Sequence, residues 1–357
     1  MISFVATRST FLTQINSELR LGAFLGADGA LLARYLLLLS SLCARWVARQ
    51  PSARQCCQCF RALQASGQHH SQCYGRVFGR LVVLAHPALD AVACGMHVDI
   101  NADAGESFGR WQLGNDEALF AHITSVNLAC GFHAGDPLTI KRSIALAKEQ
   151  GVAVGAHPGF YDKVGFGRRI MQASAAEVYA DVLYQIGALQ AFLRLVEMPL
   201  QHVKAHGALH WYALANTDIC TAIANATQDA GSTGSAGSTG STGNEVAFVA
   251  LAGTNMVETA EATGVKVIRE AFPERAYMRD GSLAPRKLAG SSIHNPQEAA
   301  ARAVKMVTGQ PLDTLDGGTV SLQAETLCIH GDNPEAVTIA ATMRDALNAE
   351  GITVKAF

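Results

Sequence analysis

Residues 125–157 read SVNLACGFHAGDPLTIKRSIALAKEQGVAVGAH and contain the pattern that decides the fold. The apolar runs at 125–130 and 152–156 predict two short strands. The helical pattern between them begins at Asp136-Pro137 and ends at Gly151, with a capping side chain and a proline at its start and a glycine just past its end. A strand, a helix and a second strand in this order predict a parallel sheet.

The same alternation extends through residues 96–357. Two more helical patterns begin with Asn-Pro, at Asn295 and Asn333, and end at Gly309 and Gly351. A capping box at Ser174 opens a further helix. Seven apolar or β-branched runs predict strands, at 97–101, 125–130, 152–156, 202–206, 246–252, 265–269 and 326–330.

Polar side chains follow or end most of these predicted strands. An open parallel sheet binds its ligand at one switch point, so few of its strands contribute. A barrel collects side chains from the carboxyl ends of many strands. We therefore expect an α/β domain built as a seven-stranded (β/α) barrel.

The composition separates residues 1–95 from the rest of the chain. Across all 357 residues, 49% are hydrophobic, 16% are charged and the net charge is −2, which indicates a globular fold and gives no electrostatic basis for nucleic-acid binding. Residues 1–95 contain nine arginines, no lysine and six of the nine cysteines, with a net charge of +6. No apolar run reaches about 18 residues, so we expect no membrane-spanning helix.

We interpret residues 1–95 as an Arg- and Cys-rich extension outside the core domain, or as a start assigned too far upstream. A transit peptide is the alternative, because such peptides are rich in Arg and poor in acidic residues. The run Cys56-Cys57-Gln58-Cys59 matches no standard zinc spacing. Residues 231–243 contain only Gly, Ser, Thr and Ala, and predict a flexible surface insertion in the 96–357 domain.

The first candidate cluster is DINADAGE, residues 99–106. On a strand, Asp99, Asn101 and Asp103 share one face because side chains alternate. Three oxygen-bearing side chains in register can bind a cation or orient a water molecule. Asp103 or Glu106 can serve as a general base. The alternative is a loop whose polar side chains satisfy backbone groups.

The second cluster lies in HVKAHG, residues 202–207. On a strand, Lys204 and His206 share a face with His202. A lysine on an inward face requires an anionic partner, so either this face is exposed or it lines a polar site. We predict that the catalytic residues are Asp103, Glu106, Lys204 and His206.

Glycine-flanked loops carry further candidates, whose alternative roles are helix caps, solvated histidines and surface ion pairs. Arginine can bind a carboxylate or a phosphate through two parallel hydrogen bonds. The predicted substrate- or phosphate-binding residues are Asn101, His133, His157, Arg168, Arg169, Asp280, Arg286, His330 and Asp332. If a metal ion is bound, the predicted ligands are Asp99, Asp103 and His133. The chain lacks the serine-hydrolase elbow, the zincin motif and the Rossmann glycines, which leaves hydrolysis by a water nucleophile as the favoured chemistry.

Six motifs occur in order along residues 96–357: DINADAGESFG (99–109), NLACGFHAGDP (127–137), GAHPGFYDKVGFGRR (155–169), HVKAHGALH (202–210), FPERAYMRDGSLAPR (272–286) and CIHGDNP (328–334). Together they resemble the LamB/YcsF lactam-utilisation family, which includes the A component of the bacterial ATP-dependent 5-oxoprolinase. The resemblance covers nearly all of this region and excludes residues 1–95 and 231–243.

The resemblance implies conversion of 5-oxo-L-proline to L-glutamate with hydrolysis of ATP. It implies ATP and Mg²⁺ as cofactors of a complex, no organic prosthetic group, and two further subunits, B and C, as partners. It also implies a barrel similar to that of the glycoside hydrolase/deacetylase superfamily, in which Asp and His often hold a divalent metal. We expect a cytoplasmic protein, because the 96–357 domain has few cysteines.

Two departures from the family pattern lie close to the second cluster. The family usually has Pro where this chain has Ala205, and Tyr-Asn where it has His210-Trp211. Two other functions stay open on the sequence alone. One is a metal-dependent amidase or deacetylase that acts without ATP, and the other is a non-catalytic subunit that binds a lactam.

Overall fold

The computed structural model describes residues 96–233 and 245–357, which form a parallel barrel with helices on its outside. Within these ranges the strands are β1 (His97–Ala104), β2 (Ser125–Ala129), β3 (Ala153–His157), β4 (Leu200–Val203), β5 (Ala247–Leu251), β6 (Val267–Ala271), β7 (Pro311–Asp313), β8 (Thr319–Ser321), β9 (Thr326–His330) and β10 (Thr353–Val354). The helices are α1 (Asp116–Phe120), α2 (Pro137–Gln150), α3 (Ala175–Leu195), α4 (Gly207–Ala215), α5 (Thr217–Thr233), α6 (Asn255–Glu261), α7 (Pro296–Thr308) and α8 (Ala336–Ala349). The extension predicted for residues 1–95 lies outside the described residues.

Strands β1 to β6 and β9 close into the barrel. Each pairs in parallel with the next, and β9 returns to β1, where Asp99 pairs with Thr326 and Asp103 with His330. All seven predicted runs form these strands, so the predicted seven-stranded α/β barrel is confirmed. The other described strands are peripheral: β7 and β8 form an antiparallel pair, and β10 pairs with the start of β1.

Most of the predicted helix boundaries are confirmed. The Asp136 side chain accepts a hydrogen bond from the Thr139 N–H at 2.8 Å, and Gly151 ends α2 with a φ of +68°. Asn295 caps α7, and Ser174 opens α3 with the predicted capping box. These local signals hold because each satisfies backbone groups that the helix ends leave without partners.

Two local expectations were wrong. Helix α8 begins at Ala336 rather than after Asn333, because the Asn333 amide donates to Glu274 at 2.6 Å and its oxygen accepts from the Glu335 N–H. Helix α5 continues to Thr233, so the first three residues of the predicted insertion are helical. Its remaining residues, 234–243, lie outside the described part of the chain.

Strand β4 ends at Val203, earlier than predicted, so Lys204 and His206 follow the strand instead of belonging to it. Their backbone N–H groups donate to the carbonyls of Ala156 and Pro158, at 2.9 and 2.8 Å. The segment after β4 is therefore held against the end of β3. This contact, not strand alternation, directs both side chains into the barrel.

The two faces of β1 show where the apolar core lies. Val98, Ile100 and Ala102 are fully buried in the main hydrophobic cluster between barrel and helices. Asp99 and Asn101 point to the other side and bond residues of neighbouring strands inside the barrel. The interior of this barrel is therefore polar along β1, and it carries the candidate site.

None of the described helices is long and apolar enough to span a lipid bilayer.

Candidate active site

A cavity of about 260 Å³ opens at the carboxyl ends of the barrel strands. This is the face on which α/β barrels carry their active sites, because the loops after the strands converge there. Nine of the residues predicted from sequence line it: Asp103, Glu106, His157, Arg168, Lys204, His206, Arg286, His330 and Asp332.

Lys204 is a buried cation on the floor of the cavity. Its ammonium lies 2.9 Å from Asp103 Oδ1 and 2.7 Å from Glu270 Oε1. Burial alone would lower the pKa of Lys204, but the charges of Asp103, Cys328 and Glu270 raise it well above its usual value. The lysine is therefore protonated at neutral pH, which agrees with the expectation that a lysine on an inward face requires an anionic partner.

Asp103 is held in its ionised form. Burial works to raise the pKa of Asp103, yet the charges of His157 and Lys204 and the hydrogen bond from His157 bring it well below its usual value. The amide of Asn127 also donates to Oδ1 at 2.8 Å. Asp103 therefore presents a fixed negative charge to the cavity.

A layer of amides supports this ion pair from below. Asn101 donates to Glu270 at 3.1 Å, and Asn127 donates to Asn101 at 2.6 Å. His202 contacts Asn127 from the other side at 2.6 Å. Asn101, predicted to bind substrate, thus lies beneath the cavity and contacts residues that line it.

Two histidines point one ring nitrogen each at the other. His157 Nδ1 lies 2.8 Å from the Lys204 carbonyl and His206 Nε2 lies 2.8 Å from the Phe166 carbonyl. Carbonyls only accept, so each of these nitrogens carries a hydrogen. The remaining nitrogens, His157 Nε2 and His206 Nδ1, are 3.0 Å apart. Two lone pairs at this distance repel unless a proton or a cation lies with them.

His133 extends this histidine group behind the cavity wall. Its ring is fully buried and stacks on His206 with centroids 3.7 Å apart, and neither of its nitrogens has a hydrogen-bond partner. Its Nε2 lies 3.7 Å from Glu106 Oε1. Burial, His206 and His157 hold the pKa of His133 well below its usual value. Burial, Asp103 and Asp332 raise the pKa of Glu106.

These four residues can hold a metal ion. Glu106, His133, His157 and His206 each offer one ligand atom, and the four atoms lie within 4.8 Å of one another. Imidazole and carboxylate suit Zn²⁺ and related divalent cations. The carbonyls that fix His157 and His206 are the outer partners that metal-bound histidines usually have. The orphaned nitrogens of His133 fit the same group.

The ligand set predicted from sequence does not form. Asp99 accepts from the hydroxyls of Thr124, Ser125 and Thr326 at 2.5–2.7 Å. It also lies about 13 Å along β1 from Asp103, given about 3.3 Å per residue. Asp99 therefore cannot share an ion with Asp103. Asp103 instead groups with Cys328 and His330.

Acidic and basic side chains pair at the mouth of the cavity. Arg168 donates to Asp332 at 3.0 Å. Glu274 accepts from the His330 N–H at 3.0 Å and from the Asn333 amide at 2.6 Å. The His330 ring stacks on Phe272. The predicted residues Arg168, His330 and Asp332 are thus brought together on one wall.

Two further predicted residues lie away from both the cavity and the side chains that support it. Arg169 bonds Asp162 and its side chain is largely exposed. Asp280 is exposed and accepts from the Ser282 N–H and hydroxyl at 2.9 and 2.6 Å. Each is engaged by a neighbour in its own loop, which keeps it away from the site.

Glu270, Arg275 and His210 are site residues to which the sequence analysis assigned no role. Glu270 is a charged residue inside a strand of a parallel sheet, where apolar runs are the rule, and that exception was the available signal. Arg275 is buried in the loop after β6. His210 lines the cavity beside Trp211, so the departure from the family pattern lies at the site itself.

Known proteins share the sequence and the fold of this barrel. The profile of the LamB/YcsF family matches residues 98–357. This chain belongs to the LamB/YcsF family. Within the family it is similar to a protein from Thermus thermophilus that is named as the A component of 5-oxoprolinase, with 52% identity over 264 residues, 73% of this chain and 100% of the relative.

Further relatives of this chain show the same relationship. A 5-oxoprolinase A component from Deinococcus radiodurans is 51% identical over 256 residues, 72% of this chain and 95% of the relative. The solved structure of a lactam utilization protein from Thermus thermophilus is 51% identical, with a TM-score of 0.66 over 73% of this chain and 100% of that one. The family relationship therefore spans the whole barrel.

Proposed function

We propose that this protein is one component of an ATP-dependent 5-oxoprolinase, in which it opens the lactam ring of 5-oxo-L-proline to form L-glutamate. The relatives named as the A component of 5-oxoprolinase support this proposal. One structural observation carries it: a small cavity brings together the ionised Asp103, the protonated Lys204 and a group of buried histidines.

This set of charges suits attack of water on an activated amide. A lactam is a poor electrophile, and transfer of a phosphoryl group from ATP to its oxygen activates the ring carbon. Water then adds to that carbon, the C–N bond breaks, and the nitrogen leaves as an amine with the proton of the water. The resulting acyl phosphate takes up a second water and gives the carboxylate of glutamate and phosphate.

Each charged residue has a defined part in that sequence. Asp103 accepts a hydrogen bond from the attacking water and orients it. Lys204 stabilises negative charge that develops on the oxygen of the reacting carbon. Asn101, Asn127 and Glu270 hold these two side chains in place. Loss of Asp103 or Lys204 should therefore affect turnover more than binding.

Glu106 and the three histidines would hold a divalent cation in this proposal. Such a cation supplies Lewis acidity that polarises an oxygen of the substrate. The carbonyls of Lys204 and Phe166 accept from one nitrogen of His157 and of His206, which leaves the other nitrogen of each ring as a ligand atom, and Asp103 provides negative charge beside the site.

The nucleotide would bind at a partner protein or at an interface with it. A cavity of about 260 Å³ is smaller than the roughly 300–1,000 Å³ of sites for larger ligands. It suits a small lactam rather than a whole nucleoside triphosphate. The proposal therefore includes the two further subunits, B and C, and Mg²⁺ with ATP. The buried free thiols of Cys130, Cys220 and Cys328 agree with a cytoplasmic enzyme.

Glutamate release tests the proposal. The full chain, purified with its native partners, is incubated with 5-oxo-L-proline with and without ATP. We expect glutamate only with ATP, and ADP in equal amount. Glutamate formed without ATP and abolished by a chelator would establish the metal-dependent amidase instead. Binding of the lactam without turnover in the complete complex would establish a non-catalytic, lactam-binding role.

A further inference from the structure

Two arginines on the cavity wall have no ion-pair partner among the described residues. Arg275 is 4% exposed, and its guanidinium bonds only backbone carbonyls, those of Ala284 at 2.7 Å and Ser291 at 3.3 Å. Arg286 lines the same cavity on the loop that follows. Burial and the charge of Arg286 lower the pKa of Arg275 to about 10. Two like charges thus face one space, and the nearby carboxylates of Glu274 and Asp332 offset them only in part, without a direct ion pair.

The acidic groups in the vicinity are already engaged. Asp332 accepts from Arg168 at 3.0 Å. Glu274 accepts from the backbone of His330 and from the amide of Asn333. Lys204 lies between Asp103 and Glu270 on the floor. The positive charge of Arg275 and Arg286 is therefore available to an anion that enters from outside.

Both arginines also separate the cavity from an adjoining groove. The groove has a volume of about 230 Å³ and shares Arg275, Arg286, His330 and Asp332 with the cavity. The guanidinium groups thus stand on the wall between the two spaces, whereas Lys204 and Asp103 lie on the cavity floor. A ligand with a reactive centre and an anionic group can contact both.

We propose that Arg275 and Arg286 form a subsite for the carboxylate of the lactam substrate. The inference rests on the proposed function and adds the group that selects the substrate. The planar guanidinium fork matches a carboxylate through two parallel hydrogen bonds, and burial of Arg275 strengthens such a pair. The subsite would distinguish 5-oxo-L-proline from 2-pyrrolidinone, the same ring without a carboxylate.

Binding of these two lactams tests the subsite. Calorimetry on the full chain with its partners compares the wild type with Arg275→Gln and Arg286→Gln. We expect each substitution to weaken 5-oxo-L-proline binding by about 10- to 100-fold, the usual value of a charge-assisted hydrogen bond. Binding of 2-pyrrolidinone should stay unchanged. In turnover assays the effect should fall on KM, with kcat largely retained.

Arg302→Gln is the matched control. Arg302 is half-buried and bonds the backbone carbonyls of Pro273 and Arg275 at 3.1 and 2.7 Å, but it does not line the cavity. Its loss should cost stability without changing the preference between the lactams. Thermal unfolding of all three variants separates this structural effect from binding.

The alternative outcomes overturn the subsite in distinct ways. Equal weakening of both lactams by Arg275→Gln would show that the arginine supports the fold or holds a phosphate group. An unchanged preference for 5-oxo-L-proline in both cavity variants would exclude the subsite while the wild type still releases glutamate. A wild-type complex that neither binds 5-oxo-L-proline nor releases glutamate would instead overturn the proposed function.

Discussion

The two ends of the barrel interior bury polar groups in opposite ways. At the amino-terminal end, Asp99 is fully buried and accepts three hydrogen bonds from hydroxyl groups. At the carboxyl end, His133 is equally buried, and neither of its ring nitrogens has a partner. Buried polar groups are nearly always satisfied in folded proteins. We therefore expect a structural role for the amino-terminal end, and a ligand at the carboxyl end, where the His133 nitrogens have no partner.

The two ends of the barrel also differ in packing, because one is filled by apolar side chains and the other opens to a charged cavity. Ala247, Val249 and Ile268 form a small apolar cluster at the amino-terminal end, and Phe357 packs against it and against the His202 ring. The carboxyl end instead opens into the charged cavity around Asp103. Phe357 therefore covers part of the amino-terminal end of the barrel, and loops leave the carboxyl end accessible.

The strongest test of this contrast pairs two substitutions on one strand. Asp103→Asn should reduce the kcat of glutamate formation by about 10²- to 10⁴-fold, because it removes the charge that orients water. Asp99→Asn should retain turnover and instead lower the free energy of unfolding by about 1–3 kcal/mol at pH 5, because hydroxyl donors lose an acceptor. Full activity of Asp103→Asn would remove the functional distinction between the two ends.

Metal content directly tests the carboxyl end, where the His133 nitrogens have no hydrogen-bond partner. We expect the wild type to bind about one Zn²⁺ or similar ion per chain, measured by elemental analysis after dialysis. His133→Phe should weaken that binding by more than about 100-fold, since even outer partners of metal ligands contribute about 10- to 100-fold. His122→Phe, outside the cluster, is the control. Equal metal content in wild type and His133→Phe would exclude His133 as a ligand, and no metal in either protein would leave a shared proton between His157 and His206.

The pH dependence of the free energy of unfolding tests the amino-terminal end, where Asp99 accepts hydrogen bonds from three hydroxyl groups. Burial raises the pKa of Asp99 to about 6 from an ordinary value of 3.8, although its hydroxyl partners lower it. The folded state therefore favours the protonated form, and its stabilisation is lost as the pH rises through about 6. A shift of about two units corresponds to about 3 kcal/mol. Relative to Asp99→Asn, the wild type should thus lose stability between pH 4 and pH 7.

Denaturant unfolding at several pH values measures this difference. The difference in the free energy of unfolding between wild type and Asp99→Asn should become smaller as the pH increases. A difference in the free energy of unfolding that stays constant or widens would show that burial does not destabilise the Asp99 carboxylate. The two ends of the barrel would then not differ in how they bury a carboxylate.

The smallest expected effect concerns Phe357, which packs against the small apolar cluster at the amino-terminal end of the barrel. Phe357→Ala should lower the free energy of unfolding by about 1–2 kcal/mol, because it removes apolar contacts of a partly buried ring. It should leave KM and kcat of the complex unchanged. A change in KM of the size expected for the arginine variants would show that the closed end communicates with the cavity.

Much of the fold was predictable because local patterns carried it. The Asp-Pro and Asn-Pro starts with glycine ends gave α2 and α7, and the strand runs gave all seven barrel strands. The start of α8 was not predictable, because Asn333 bonds Glu274, which is distant in sequence. The site was predicted in the same manner: residues at strand ends were found, but the roles of Asp99 and Arg169 depended on partners that no spacing specifies.

The sequence by itself determined the barrel, its family and most residues of the cavity, because helix caps, apolar periodicity and short motifs act over a few residues. Only the tertiary structure decided which charges meet. It placed Glu270 against Lys204, left His133 without a partner and left Arg275 and Arg286 without an anion among the residues that the structure describes. The reason is physical: electrostatic partners are chosen by distance in space, and in a closed barrel that distance is set by the pairing of strands far apart in the chain.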